Sequence, residues 1–144
     1  MRMIRYTLLG VTIFLLLTDS IAAGRWYADD QVKRGEKLFS ENCASCHGQN
    51  AEATQNWKQP GTDGKYPPPP LHGSAHAWHH PMSILRRQIR SGWIPLGGNM
   101  PPFKEKMSAT EIDDVIAYFQ SKWSDRIYML WEERQAAMGK AKGN

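Results

Sequence analysis

Cys43 and Cys46 stand three residues apart, His47 follows at once, and the 144-residue chain has no other cysteine. No other feature constrains the fold so tightly. A single closely spaced pair gives no disulfide framework, so a chain of this size must be held by a sizeable core or a large cofactor. Two thiols at this spacing reach the two vinyl groups on adjacent pyrroles of a haem, forming thioethers. The residue that follows is then fixed under the iron and presents an imidazole nitrogen. A thioredoxin-like dithiol also uses this spacing, but in a βαβ context. A structural zinc site needs four ligands, usually including a second pair. The pattern therefore predicts one covalent haem c, with Cys43 and Cys46 as thioether donors and His47 as an axial iron ligand.

The N-terminus reads separately from the fold. Arg2 and Arg5 are basic, Thr7 to Leu17 is nearly all apolar, and Ser20, Ala22 and Ala23 are small. That is the layout of a secretory signal cleaved after Ala22 or Ala23. Eleven apolar residues rise only ~16 Å as a helix, against ~30 Å of hydrocarbon. An uncleaved anchor would have to bring Asp19 to the interface. The expected organisation is a signal peptide or N-terminal anchor over 1–23, a haem domain over 24–123, and a C-terminal helical extension and tail over 124–144. Export implies the periplasm, with membrane contact only if residues 1–23 are retained.

Apolar residues in the rest recur at helical spacing. Val32, Gly35, Leu38 and Phe39 mark a first amphipathic helix behind Asp29 and Asp30, and it runs straight into the cysteine motif. Residues 48–73, with Pro67 to Pro70, exclude helix and central strand alike and read as a long covering loop. Pro81 opens a helix with Met82, Leu85 and Ile89 on its inner stripe, and Gly92 closes it. Ser108 and Glu111 form a capping box, with Met107 and Ile112 as its staple, ahead of a helix facing inward through Ile112, Ile116, Phe119 and Trp123. A last amphipathic stretch begins near Ser124 and includes Ile127, Leu130 and Trp131. No strand alternation occurs, so the expected class is all-α, small helices with long Gly/Pro loops wrapped around one haem.

A second axial ligand must come from elsewhere. Methionine opposite histidine keeps iron low-spin and raises its potential, which suits electron transfer. Met82 lies on a helix stripe, Met107 is a staple, and Met129 and Met138 belong to the extension. Met100 alone sits in an irregular loop, between Gly97-Gly98 and Pro101-Pro102. It is the expected second ligand.

These pieces together resemble the class I monohaem c-type cytochromes. The resemblance spans roughly residues 30 to 123: Gly35 and Phe39 on the first helix, CASCHG at 43–48, Pro69-x-Leu71-x-Gly73, NMPPF at 99–103, and Tyr118-Phe119 on the last helix of the domain. It implies that the first and last helices cross near Gly35. It also implies that the Pro69 carbonyl takes the Nδ1–H of His47 and that Leu71 packs on the ring. The long loop after the motif and the added helix beyond 123 depart from the smallest members of that family.

The function expected is outer-sphere electron transfer in a periplasmic or respiratory chain, by a carrier and not an enzyme. The alternative is a haem subunit of a membrane oxidase or periplasmic dehydrogenase. Lys65, Arg86, Arg87, Arg90, Lys104 and Lys106 stand against Glu105 alone in residues 65–107, a net +5 in a chain whose formal charge is +4. This local excess points to redox partner proteins with an acidic docking surface. Aromatics do not interleave with these charges in a binding motif, so no nucleic-acid partner is expected. His72, His76, His79 and His80 are left for capping turns or binding a haem propionate.

Overall fold

The computed structural model describes residues 24–141; the expected signal segment lies outside the described residues. Five α-helices follow in order: α1 (Asp29–Asn42), α2 (Ala44–His47), α3 (Met82–Ser91), α4 (Ala109–Ser121) and α5 (Asp125–Ala141). Short 3-10 turns cover His76–His79 and Ile94–Leu96, and no strand occurs among the described residues. The all-α expectation holds.

The N-cap of α1 lies one residue before the acidic pair. Ala28 is the N-cap, Asp29 and Asp30 fill the first turn, and the Ala28 N–H donates to Gln31 Oε1 at 3.1 Å. The carboxylates still complement the helix N-terminus from there. Gly35 and Phe39 are buried on its inner face. A Cβ on Gly35 would overlap the Asp114 carbonyl of α4, so the two helices meet backbone to backbone at that point. Phe39 and Tyr118 then pack ring against ring at a tilt of 47°, with centroids 5.0 Å apart.

α4 is the centre of the molecule. Ser108 Oγ accepts from the Glu111 N–H at 3.3 Å and Glu111 Oε2 accepts from the Ser108 N–H at 2.8 Å, so the expected capping box forms. The expected single apolar face is too narrow. Ile112 and every residue from Asp114 to Gln120 are buried, because α1 and α3 both pack on this helix. Two polar residues are buried with it. Asp114 accepts from Arg34 Nε at 2.8 Å, and Gln120 Oε1 accepts from Trp26 Nε1 at 2.6 Å. Arg86 forms a two-pronged pair with Asp113, at 2.7 and 2.8 Å, tying α3 to α4.

α5 packs into the body through Tyr128 and Trp131, both buried. Trp131 Nε1 donates to the His80 carbonyl at 3.0 Å, and Gln135 Oε1 accepts from the Met82 N–H at 3.1 Å. The second bond satisfies a first-turn donor of α3 that its proline cap leaves open. Tyr128 Oη accepts from the Trp26 N–H at 2.9 Å, which binds the N-terminal segment to the same helix.

Tyr27 lies between these groups with its hydroxyl buried near the Arg25 guanidinium. Burial pushes its pKa up to about 12, against a partial offset from the nearby Arg25 guanidinium. The folded state therefore holds this proton more tightly than the unfolded chain does. The associated stability is present below the unfolded value of about 10 and is lost as pH rises towards 12. Tyr27→Phe should leave stability at pH 7 nearly unchanged and flatten the decline above pH 10, measured by urea unfolding at a series of pH values.

Candidate functional site

Cys43 ends α1, donating its N–H to the Phe39 carbonyl at 2.8 Å, and α2 carries the rest of the motif through one helical turn. His47 closes that turn, donating its N–H to the Cys43 carbonyl at 2.9 Å. Cys43 is half-buried and Cys46 exposed, and no disulfide joins them. Before haem is attached, burial, with a smaller contribution from Cys46, pushes the Cys43 thiol up to about 11.

His47 is buried, and its Nδ1 lies 2.9 Å from the Pro69 carbonyl oxygen. A carbonyl only accepts, so Nδ1 carries the hydrogen and Nε2 keeps its lone pair. Burial holds the imidazole below its ordinary pKa, while the Pro69 bond works in the other direction. The ring is thus oriented, neutral and equipped to bind a metal through Nε2.

The 48–73 loop is shaped by backbone contacts back to this turn. Ala53 N–H donates to the His47 carbonyl at 2.7 Å, and Leu71 N–H donates to the Ala51 carbonyl at 2.8 Å. Ala51 is fully buried at φ 60° and Ala53 shares that φ, a left-handed conformation uncommon for alanine. Tyr118 Oη donates to the Gln49 carbonyl at 2.8 Å and Trp123 Nε1 to the Leu71 carbonyl at 2.7 Å. Leu71 is half-buried against the core. Ala51, Tyr118 and Trp123 are the supporting residues that sequence reasoning missed. The apolar spacing marked Trp123 only as packing, Tyr118 stood only in the family resemblance, and an alanine at positive φ leaves no trace in composition.

Met100 is half-buried against the same core. Its carbonyl accepts from the Trp93 N–H at 2.9 Å, and Phe103 N–H donates to the Ile89 carbonyl at 3.0 Å. Both bonds hold the Met100 loop to the end of α3. Gly92 turns the chain there, at φ 65° and ψ −171°, and a Cβ on it would meet the Met100 carbonyl, Pro101 and Pro102. Two thiols on one turn, a neutral imidazole oriented through Nδ1 and a thioether in a pinned loop form a donor set that fits haem c. Of the remaining histidines, His72 Nδ1 is 3.2 Å from Ser74 Oγ, and the His76 and His80 rings are 5.7 Å apart. No group of three or more His, Cys, Asp or Glu among the described residues is arranged to hold a separate metal ion.

With this geometry in view, residues 30–119 match the family described as cytochrome c oxidase, cbb3-type, subunit III. The chain belongs to the c-type cytochromes of this family. It is 32% identical over 117 residues to cytochrome c6 of a Nostoc species, covering 80% of this chain and 87% of that one. It is also 31% identical over 108 residues, 75% of its length, to the cbb3-type cytochrome c oxidase subunit CcoP of Rubrivivax gelatinosus. The chain spans only 30% of the length of that second relative. No solved structure matches it. As a c-type cytochrome it carries covalently bound haem and transfers electrons through it.

Proposed function

We propose that the chain is a periplasmic single-haem carrier in which Cys43 and Cys46 hold haem c and His47 and Met100 ligate its iron. The observation that carries this reading is the His47–Pro69 bond of 2.9 Å, which puts the hydrogen on Nδ1 and leaves the Nε2 lone pair to a metal, on the turn that carries Cys46. Haem c supplies a one-electron couple between ferrous and ferric iron, and the chain's own residues set the conditions for it. Pro69 fixes the tautomer and tilt of His47. Leu71 and the core against which it packs exclude water. The bonds from Trp93 and Phe103 hold the Met100 loop, so little rearrangement accompanies a change of charge.

The partner proteins on this reading present an acidic surface to the basic residues of 65–107. Lys104 and Lys106 are exposed just past Met100, and Lys65 Nζ donates to Asn99 Oδ1 at 3.0 Å on the same loop. The second reading, a haem subunit of an oxidase, is favoured by the family match and by the oxidase relative. Among the described residues no helix is long and apolar enough to cross a membrane. Retention or removal of residues 1–23, read by N-terminal sequencing of the exported protein, separates an anchored subunit from a free carrier.

Attachment is tested chemically. The unfolded protein should keep its haem through extraction with acidified organic solvent, whereas Cys43→Ala and Cys46→Ala should each yield a single thioether or no holoprotein. Free loss of haem from the parent protein would rule out covalent attachment.

A further inference from the structure

His76, His79 and His80 share the short turn between the proline-rich loop and α3, and the haem site described above leaves them unused. His76 and His79 are exposed and His80 is half-buried. The His76 and His80 rings stand edge to face with centroids 5.7 Å apart. His47 and His72 have partners for Nδ1 among the described residues, the Pro69 carbonyl and Ser74 Oγ, whereas no such bond occupies the rings of His76 and His80. The backbone beneath the pair is held from two sides. His80 N–H donates to the Ala77 carbonyl at 3.1 Å, and the His80 carbonyl accepts from Trp131 Nε1 of α5 at 3.0 Å. Trp57 flanks the His76 ring with centroids 6.3 Å apart, while His79 packs edge to face on Trp78 at 4.0 Å. Burial, then the neighbouring His76 and His79, holds the His80 imidazole below its ordinary pKa, so this ring keeps a lone pair to offer at neutral pH.

We infer that His76 and His80 form a chelating site for a divalent transition-metal ion, copper(II) above all, separate from the haem. An ion bonded at ~2 Å to one nitrogen of each ring, at a right or tetrahedral angle, sets the centroids ~5 Å apart. The observed 5.7 Å lies within a small rotation of the exposed His76 side chain. Two imidazoles leave the other coordination positions to water. That suits copper(II), which stands at the top of the affinity order for first-row divalent ions and accepts a tetragonal set of nitrogen and oxygen donors. Zinc sites normally take three or four protein ligands, and magnesium and calcium want oxygen. Arg134 and Lys58 lie over the Trp78 and Trp57 rings, so the ion is held by imidazole bonds without help from local charge. A bound ion clamps the two ends of the turn. Trp131 and Gln135 fasten α5 at the His80 carbonyl and the Met82 N–H, so the clamp also stabilises the seat of that helix.

The test is a titration of the oxidised full-length holoprotein with copper(II) chloride, followed by calorimetry and electron paramagnetic resonance. Ferric haem keeps the protein from reducing the added copper. One ion per chain should bind, with an axial copper spectrum showing nitrogen hyperfine structure. Nickel(II) and zinc(II) should bind more weakly and magnesium not at all. His76→Ala, a change at an exposed position, should weaken copper binding about tenfold or more, and so should His80→Gln. His79→Ala and His72→Ala should keep the parent affinity. Copper should raise the midpoint of urea unfolding in the parent protein and not in His76→Ala. The haem absorption spectrum and far-ultraviolet circular dichroism, expected to be unchanged in every variant, show that the loss belongs to the site and not to the fold. Unchanged affinity in His76→Ala, equal loss in His79→Ala, or tighter binding of zinc than of copper would each overturn the inference.

Discussion

Gly35→Ala should destabilise the protein by about 3 kcal/mol, although alanine is the better helix former by about 1 kcal/mol. The reason is the neighbour. A Cβ at this position overlaps the Asp114 carbonyl and approaches Tyr118 Cβ. Backbone cannot rotate away as a side chain can, so α1 and α4 must separate. Separation loosens the Phe39–Tyr118 packing and the Arg34–Asp114 pair, whose carboxylate is only 2% exposed. Leaving that carboxylate poorly paired adds to the cost. The midpoint of urea unfolding measures the effect. A rise in stability of about 1 kcal/mol, the propensity gain alone, would mean that the helices do not cross at this glycine.

Gly92→Ala should leave helix content nearly intact while disrupting the Met100 loop. At φ 65° and ψ −171° the residue occupies a region open almost only to glycine, a strain of about 1–3 kcal/mol for alanine. The added methyl also meets the Met100 carbonyl and the two prolines after it. Relief requires the loop to lift from the end of α3, breaking the Trp93–Met100 bond. On the ligation proposed above, the holoprotein should then bind carbon monoxide rapidly and lose potential, with far-ultraviolet circular dichroism little changed. Gly97→Asn is the control. Gly97 also has positive φ, but its Cβ position is open and asparagine tolerates that conformation. Similar carbon monoxide binding by both variants would show that the pinning at Gly92 does not hold the loop.

The sequence made the helices legible because each carries a local signal. The capping box at Ser108, the Leu85 and Ile89 stripe and the glycine in the first helix all act within a few residues. The Pro69 carbonyl bond was reachable through family resemblance, and the structure places those atoms together. What escaped reading was long-range. Asp114 and Gln120 interrupt the apolar pattern of α4, and their burial makes sense only once Arg34 and Trp26 are seen from elements some eighty and ninety residues away. Arg86 counted only toward the basic excess of 65–107 until Asp113 lay beside it. Ala51 gives no sequence signal for its left-handed backbone, because that conformation is imposed by the two amides it accepts from, Leu71 and His72.

The central claim is that the iron of a covalent haem is held between His47 and Met100. The most direct test is the absorption spectrum of the oxidised full-length protein, searched for the methionine-to-ferric charge-transfer band. The parent protein should show the band, Met100→Ala should abolish it, and Met107→Ala, which removes a buried staple, should retain it with some loss of stability. Persistence of the band in Met100→Ala, or its loss in Met107→Ala alone, would contradict the account.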